Sequence, residues 1–239
     1  MILWKDLQDR FSIGKLMFDM NRFDYAVFDL DGTLLDTNAG IISALISTLK
    51  AYGLPVPAQS VLDSFIGPPL EDSFIRVYDL NTQDARKIAE SFRELYKTDD
   101  YLLNATPYEG IFDLFDSLKR SGTKIGIATY KREDYAKQLL CQNGFNKYTD
   151  HMYGSDPDGK MKKSDIIRIC LNNMGCTDID RSVYIGDGVS DGKGANSLNM
   201  PFLAVTYGFG FKNPSDAEIY KPIGIAETCK DVREIIVGS

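Results

Sequence analysis

The stretch YAVFDLDGTLLDT, from Tyr25 to Thr37, decides the fold. It opens with an apolar run of strand length and continues into Asp-Gly, a common turn, which predicts a buried strand over Tyr25–Leu30. Asp29 and Asp31 stand two positions apart at the end of this strand, so strand geometry points both side chains to the same side. We therefore expect two carboxylates to face one site at the carboxyl end of a buried strand.

Apolar runs of strand length alternate with helical periodicity along the rest of the chain. Further strands are predicted at Lys124–Thr129, His151–Tyr153, Ser182–Gly186 and Phe202–Val205, with helical stretches after Asp134, Ser164 and Asp191. Because parallel strands need crossover connections that are usually helical, this alternation indicates a parallel sheet covered on both faces. The predicted fold class is α/β, with a doubly wound, Rossmann-like parallel sheet.

An interval of about ninety residues separates the first two predicted strands, which is too long for a loop in a compact domain. Its pattern is helical, with segments at Ala39–Tyr52, Leu70–Tyr78 and Thr82–Leu103. The sequence therefore predicts a small all-helical domain at 37–106, inserted into an α/β core that comprises 23–36 and 107–239. Residues 1–22 form an N-terminal extension, which we expect to pack on the chain's own body. A partner-binding arm and a functional start at Met20 are the alternatives.

The composition narrows the class of partner. A net charge of −7 argues against non-specific attraction to nucleic acid or to an anionic membrane, since both need basic patches. No signal-peptide core or membrane-spanning run is present in the sequence. The four cysteines form no C-x-x-C pair, which disfavours zinc and dithiol chemistry and fits a reducing cytoplasm. The sequence does not predict an oligomeric state.

Asp29 and Asp31 can take different roles in one reaction. One carboxylate can stay ionised as a nucleophile or metal ligand, while the other delivers a proton. Gly32 and Thr33 then allow a sharp turn and can offer backbone N–H groups to an anion. A solvated Asp-Gly turn is the alternative interpretation. The remaining motifs decide between the two.

Two later segments supply candidates for binding a phosphoryl group. Thr129 ends a predicted strand beside a helix start, where its hydroxyl can hold a phosphoryl oxygen or cap the helix. The segment GKMKKSDII places Lys160, Lys162 and Lys163 just before a helix. An acidic protein that handles an anion needs a cation in its site, and this cluster is a natural source, although lysines usually lie on solvated faces.

The segment YIGDGVSDG places Asp187 and Asp191 on either side of a glycine-containing turn. Such carboxylates suit Mg²⁺, which takes one or two of them together with water and substrate phosphate, although a turn followed by an N-cap would use the same residues. The single histidine, His151, falls in a predicted strand and is interpreted as an ordinary sheet residue. This disfavours histidine-based metal sites and a Ser-His-Asp triad.

The motifs DLDGT, strand-end Thr129, a lysine before a helix and GDGVSD occur in the order typical of the haloacid dehalogenase superfamily. From Phe23 to Val237 the chain resembles the phosphatases of that superfamily that carry a helical cap after the first strand. The segments FIGPPLEDSF, at Phe65–Phe74, and VTYGFG, at Val205–Gly210, are similar to its phosphoglycolate phosphatase-like branch. Four motifs in order are a specific signal.

The resemblance implies a Mg²⁺-dependent phosphatase that acts on a small phosphorylated metabolite. Asp29 would attack phosphorus to form a phosphoaspartate, and Asp31 would act as general acid and base. Thr129, the backbone N–H of Tyr130 and Lys163 would hold the phosphoryl group. The metal would be bound by the Asp29 and Asp187 carboxylates and the Asp31 carbonyl, with Asp191 acting directly or through water.

Two positions depart from the family pattern. Tyr130 stands where asparagine commonly follows the threonine, and the lysine segment lacks the Lys-Pro of many relatives, so Lys160 and Lys162 stay alternatives to Lys163. The competing functions are a sugar phosphomutase, a pyrophosphatase and a non-catalytic binding protein. A dehalogenase proper would need neither Asp31 nor Asp187. The Gly67-Pro68-Pro69-Leu70 turn is the candidate segment of the cap to face the site.

Overall fold

The computed structural model of the chain describes residues 22–66, 68–157 and 159–238. The predicted extension lies outside the described residues except for Arg22, and so does Gly67 of the predicted cap turn. The strands are β1 (Tyr25–Phe28), β2 (Leu35–Asp36), β3 (Thr106–Pro107), β4 (Lys124–Arg132), β5 (Met152–Ser155), β6 (Ser182–Gly186), β7 (Phe202–Val205) and β8 (Gly224–Ala226).

Six of these strands form one parallel sheet in the order β5-β4-β1-β6-β7-β8. Tyr25 at the start of β1 pairs with Lys124 of β4 on one side and with Ser182 of β6 on the other. The chain therefore builds outward from β1 to β5, returns to the other side of β1, and builds outward again to β8. This confirms the predicted doubly wound sheet, and it places the reversal of strand order beside β1, where ligands bind in such sheets.

The sheet is buried on both faces. Ala26 and Phe28 of β1 face one hydrophobic cluster, which includes Phe115, while Val27 faces a second cluster, which includes Ile166. Each of these side chains is at most 1% exposed. Alternation of side chains along a strand explains why neighbouring residues enter different clusters. Burial of one large apolar side chain contributes roughly 1.5–3 kcal/mol, so this double-sided core fixes β1 firmly.

The segment between β2 and β3 is helical, as predicted. Its helices are α1 (Asn38–Ala51), α2 (Gln59–Asp63), α3 (Leu70–Tyr78), α4 (Thr82–Tyr96) and α5 (Asp99–Leu102). We call this segment the helical insertion. β2 and β3 pair antiparallel at its base, with Leu35 opposite Pro107. The domain boundaries at 37 and 106 stay a prediction.

The remaining helices flank the sheet: α6 (Ile111–Ser121), α7 (Glu133–Gln142), α8 (Lys163–Met174), α9 (Val189–Ser197), α10 (Pro214–Glu218) and α11 (Cys229–Val237). In the described part of the chain, no helix combines the length and the apolar character needed to cross a lipid bilayer.

Several predicted boundaries differ from the structure. The helix predicted over Thr82–Leu103 is broken after Tyr96, because Thr98 donates its hydroxyl to the Leu95 carbonyl, a local hydrogen bond that competes with the helical pattern. β1 ends two residues early because the carbonyl of Leu30 already accepts turn hydrogen bonds. β4 runs three residues further than predicted and β5 is shifted toward its carboxyl end. Two-residue β2 and β3 and the short β8 had no apolar run to predict them.

Candidate active site

The candidate site lies at the carboxyl ends of the central strands. β1 ends immediately before Asp29, and β6 ends immediately before Asp187, so the two carboxylates extend from neighbouring parallel strands. Both residues are buried, with 6% and 4% of their surface exposed. The Asp29 backbone N–H donates to the Ile185 carbonyl at 2.9 Å, which extends the β1–β6 pairing to the nucleophile candidate itself.

A buried lysine bridges two of the carboxylates. Lys163 Nζ lies 2.6 Å from Asp29 Oδ1 and 2.9 Å from Asp191 Oδ1, with 2% of its side chain exposed. Lys160 and Lys162 are exposed. Of the three lysines that the sequence left open, the structure therefore brings Lys163 into the acidic cluster.

Asp191 belongs both to the cluster and to the start of helix α9. Its Oδ2 accepts from the backbone N–H of Gly188 at 2.9 Å, which caps the helix, while Oδ1 faces Lys163. The two interpretations of this aspartate from sequence, helix cap and site residue, are thus compatible. A carboxylate has acceptor capacity for both.

Asp187 is enclosed by a glycine-rich loop. Its Oδ2 accepts from the backbone N–H groups of Phe209, at 2.9 Å, and Gly210, at 2.8 Å. A side chain at Gly208 would overlap the carbonyl oxygen of Gly32 and the Asp187 carboxylate. The VTYGFG segment therefore supplies hydrogen-bond donors and close backbone approach to this aspartate.

The charges of the cluster are not balanced. Burial and the charge of Asp191 raise the pKa of Asp29 to about 7, against the lowering effect of Lys163. Burial and Asp191 also raise the pKa of Asp187 well above its usual range. Burial disfavours the charged form of Lys163, but Asp191 and Asp29 outweigh it and raise the pKa of that lysine. Three carboxylates beside one ammonium favour the binding of a further cation.

The cluster fits a divalent cation. Asp29, Asp187 and Asp191 each offer a carboxylate oxygen, and these atoms lie within 4.8 Å of one another. An all-oxygen donor set that includes carboxylates suits a hard cation such as Mg²⁺. The predicted contribution of Asp31 is its backbone carbonyl oxygen, and its carboxylate lies outside this group of three.

His151 precedes β5, and its backbone carbonyl accepts from the Ile127 N–H at 2.8 Å, consistent with its interpretation as a sheet residue.

The second carboxylate of the DLDGT motif has partners of its own. Thr37 donates its hydroxyl to Asp31 Oδ1 at 2.6 Å, and Lys131 Nζ lies 2.9 Å from Oδ1 and 3.2 Å from Oδ2. Burial opposes the charge of Lys131, but Asp31 and Tyr96 outweigh burial and hold the pKa of Lys131 above its usual value. Asp31 is thus fixed by a hydroxyl and an ammonium.

The backbone N–H groups of Gly32 and Thr33, predicted to face an anion, have acceptors inside the turn. Gly32 donates to the Leu35 carbonyl at 2.9 Å, and Thr33 donates to the Leu30 carbonyl at 3.3 Å. Gly32 has a φ of +82°, which favours glycine, and a side chain here would overlap the Asp187 carboxylate. Gly32 therefore packs closely against Asp187, and its N–H group binds within the turn.

An irregularity in β4 arranges its last residues. The β4–β5 register shifts between Ala128 and Arg132, which places a bulge at Thr129, Tyr130 and Lys131. Thr129 is 1% exposed, whereas Tyr130 is 38% exposed and its ring centroid lies 5.3 Å from Lys163 Nζ. Bulges commonly re-aim side chains beside active sites. Thr129 does not cap helix α7, because Arg132 occupies that position.

Sequence reasoning missed three contributors to the site. Lys131 stands two positions after Thr129, but the later lysine cluster was predicted to supply the cation. The N–H groups of Phe209 and Gly210 carry no side-chain signal. Tyr184, buried inside β6, donates its hydroxyl to the Ala128 carbonyl at 2.7 Å and lies 3.4 Å from Asp191 Oδ1. Only the position of Lys131 beside Thr129 offered a sequence clue.

The fold and these motifs define a class of hydrolase. The chain belongs to the haloacid dehalogenase-like hydrolase family, whose sequence pattern matches residues 26–205. Within this family the chain is a phosphatase, and the predicted resemblance to the phosphoglycolate phosphatases and their relatives is confirmed.

Three relatives illustrate the similarity. A 5'-nucleotidase from Pseudomonas aeruginosa is 30% identical over 79% of this chain and 85% of its own length. A pyrophosphatase PpaX from Bacillus velezensis is 29% identical over 87% of this chain and 94% of its own. A phosphoglycolate phosphatase from Agrobacterium fabrum is 29% identical over 77% and 81%.

A solved structure from Clostridium acetobutylicum, described as a predicted phosphatase, is similar throughout. It superimposes with a TM-score of 0.82 at 31% sequence identity, covering 91% of this chain and 99% of that one. The similarity therefore extends to the helical insertion as well as to the sheet.

Proposed function

We propose that this chain hydrolyses a small phosphorylated metabolite with the help of Mg²⁺, through a phosphoaspartate on Asp29. The observation that carries the proposal is the convergence of Asp29, Asp187, Asp191 and Lys163 in one buried cluster at the carboxyl end of the sheet. A nucleophile needs an ionised oxygen, and Lys163 at 2.6 Å favours the ionised form of Asp29.

In the first half of the reaction, an Asp29 carboxylate oxygen would attack phosphorus while the bond from phosphorus to the leaving oxygen breaks. The Asp31 carboxyl group would give its proton to that leaving oxygen. In the second half, a water would attack the phosphoaspartate, Asp31 would take a proton from this water, and Asp29 would be released. Each half is an easier displacement than direct attack by water.

The phosphoryl oxygens would be held by groups that surround Asp29. Lys163 would neutralise charge on them, and the Thr129 hydroxyl and the Tyr130 backbone N–H would donate hydrogen bonds. The carboxylates of Asp29 and Asp187 and the carbonyl of Asp31 would hold Mg²⁺, with Asp191 acting directly or through water. Bound Mg²⁺ would supply further charge neutralisation in a reaction where positioning and electrostatics dominate.

The helical insertion is proposed to act as a cap that selects the substrate. Its helix α4 reaches the site through Tyr96, whose ring centroid lies 4.9 Å from Lys131 Nζ. A cap beside the leaving group can exclude water and contact the part of the substrate that varies. The relatives named above act on nucleotides, pyrophosphate and phosphoglycolate, so we propose a small phosphorylated metabolite. The net charge of −7 disfavours nucleic acid as a partner. We also propose a cytoplasmic location for the protein.

Pyrophosphate is the second candidate substrate. The alignment with this chain covers 94% of the relative named pyrophosphatase PpaX. In addition, a second cation, Lys131, lies on the Asp31 side of the site. Hydrolysis of pyrophosphate would use the same two aspartates, with inorganic phosphate as the leaving group.

The test is release of inorganic phosphate from phosphoglycolate, sugar phosphates, 5'-nucleotides, pyrophosphate and an aryl phosphate, with Mg²⁺ and with chelator. Wild type is compared with Asp29→Asn and with the exposed control Asp36→Asn. Metal-dependent release that is lost in Asp29→Asn alone supports the proposal. Acid quenching followed by mass spectrometry should find phosphate on the peptide that contains Asp29. Release that survives in Asp29→Asn would overturn the mechanism, and isomerisation of sugar phosphates without release would indicate a mutase.

A further inference from the structure

Lys131 is a buried cation beside the proposed acid and base, and its use above is confined to the positive charge that it would offer to pyrophosphate. Its ammonium contacts both carboxylate oxygens of Asp31, at 2.9 and 3.2 Å, and 6% of its side chain is exposed. Lys163 faces a different carboxylate, that of Asp29. The site thus holds two lysines, one on the nucleophile side and one on the leaving-group side.

The backbone fixes the direction of Lys131. The bulge in β4 lies between Ala128 and Arg132, and the Lys131 backbone N–H donates to the Thr129 hydroxyl at 3.2 Å. A regular strand would send Thr129 and Lys131 to the same side. The local irregularity and this hydrogen bond let the threonine stay buried while the lysine side chain reaches Asp31.

An aromatic side chain from the helical insertion covers the other side of the ammonium. The Tyr96 ring centroid lies 4.9 Å from Lys131 Nζ, within the range of a cation–π contact. Phe92 stacks on Tyr96 with centroids 5.4 Å apart, and Tyr135 of helix α7 packs against it at 6.3 Å. The Tyr96 hydroxyl is buried, and burial raises its pKa against the smaller lowering effect of Lys131, so the two side chains interact through charge as well as through the ring.

The helical insertion therefore supplies two of the groups around Asp31. Thr37, at its start, contacts Asp31 directly, and Tyr96 contacts it through Lys131. A general acid must lie within hydrogen-bond reach of the leaving oxygen, and a displacement of about 1 Å can cost about 10²-fold in rate. Groups that fix Asp31 in place consequently affect the rate of proton delivery.

We propose that Lys131 is a positioning residue that holds Asp31 toward the leaving group, and that the Tyr96 ring of the helical insertion keeps its ammonium in place. This inference rests on the proposed function. During the step, the proton moves from the Asp31 carboxyl group to the leaving oxygen as the phosphorus–oxygen bond breaks, and Lys131 keeps its own protons.

The leaving group supplies a specific test. An alkyl phosphate expels a basic oxygen that needs a proton, whereas a nitrophenyl phosphate expels a stable anion that needs little help. Misplacing Asp31 should therefore slow the first substrate much more than the second. A lysine that serves only the stability of the fold would affect both substrates alike.

The experiment compares Lys131→Met with wild type on an alkyl monophosphate whose alkyl group is uncharged and on nitrophenyl phosphate, both with Mg²⁺. The expected result is a fall in kcat of about 10²-fold for the alkyl substrate, a much smaller fall for the aryl substrate, and little change in KM. Lys124→Met is the matched control, because Lys124 begins the same strand and also lies over a tyrosine, Tyr25, with Nζ 5.3 Å from the ring centroid. This control should leave the ratio of the two rates at its wild-type value.

Companion variants keep the test decisive if Lys131→Met does not fold. Lys131→Arg should recover part of the alkyl rate, and Tyr96→Leu should lower that rate more than Tyr96→Phe, which keeps the ring. Equal losses on both substrates would overturn the proposal. So would a rise in KM confined to pyrophosphate and phosphoglycolate, which would mean that Lys131 binds a second anionic group. A wild-type protein that releases no phosphate from any substrate would instead overturn the proposed function.

Discussion

The ammonium of Lys163 lies 2.6 Å from Asp29 Oδ1, and the two residues are separated by 134 positions in the sequence. The pair joins the end of β1 to the start of helix α8, and Asp191 adds the start of helix α9 at 2.9 Å. A buried pair of this kind is costly to break, because removal of one partner leaves the other charge without compensation. The same contact therefore serves both the proposed chemistry and the stability of the fold.

Replacing this lysine should reduce both activity and stability. We expect Lys163→Met to abolish measurable phosphate release and to lower the free energy of unfolding of the metal-free protein by about 3–5 kcal/mol, since Asp29 and Asp191 lose their buried counter-ion. Urea denaturation measures the second effect. Lys162→Met, at the exposed neighbouring lysine, is the control and should match wild type in both measurements. A variant at Lys162 that loses activity while Lys163→Met keeps it would contradict the assignment.

The stability of the metal-free protein should depend on pH through Asp29. Its pKa in the folded state is about 7, compared with an ordinary value of 3.8, because burial and Asp191 favour the protonated form. The folded state therefore retains a proton that the unfolded state has lost, and the free energy of unfolding falls as pH rises from about 4 to about 7. Urea denaturation in chelator should show a flatter pH dependence for Asp29→Asn than for wild type.

Added Mg²⁺ should reverse this trend, because metal binding requires deprotonated carboxylates. The rise in Tm caused by Mg²⁺ is expected to be larger at pH 8 than at pH 5. Parallel pH profiles for wild type and Asp29→Asn in chelator would show that Asp29 is not the group responsible.

Loss of the proposed acid should slow turnover without preventing folding. Asp31→Asn keeps the shape of the side chain but cannot carry the transferred proton, so we expect kcat for alkyl phosphates to fall by about 10²–10⁴-fold. Circular dichroism should show the wild-type fold. Asp36→Asn is the matched control, since Asp36 is exposed and its carboxylate accepts only a local backbone hydrogen bond in the described structure, from Asn38. Equal rates for Asp31→Asn and the control would refute the assigned role.

The glycine-rich loop should tolerate no side chain beside Asp187. In Gly208→Ala the added methyl group would overlap the Gly32 carbonyl and the Asp187 carboxylate. Overpacking of this kind costs about 1–3 kcal/mol, and displacement of Asp187 should also reduce the affinity for Mg²⁺. Gly224→Ala is the comparison, because its nearest contact is the flexible end of Ile235 at 3.1 Å. Denaturation and metal titration should separate the two variants, and identical behaviour would contradict the expectation.

The sequence by itself determined five of the six strands of the sheet and the main acidic residues. Apolar runs of strand length depend on local periodicity, and β6 and β7 were predicted with their observed bounds. Asp29 was identified because it stands at the end of such a run and Asp187 because it follows one, and parallel strands bring their carboxyl ends to one edge. The break in the helix predicted over Thr82–Leu103 was missed, because the Thr98 hydroxyl hydrogen bond that competes with the helix is a local geometric choice.

The tertiary structure decided which polar groups meet. Two lysines precede helix α8 and a third, Lys163, begins it, and only the direction of the helix start sends Lys163 to Asp29. Lys131 reaches Asp31 because a bulge interrupts β4, and bulges depend on the pairing of two strands. Tyr96 joins them from a helix whose position relative to the sheet is set by packing across many distant residues. Such contacts depend on distances through space, which the order of residues does not specify.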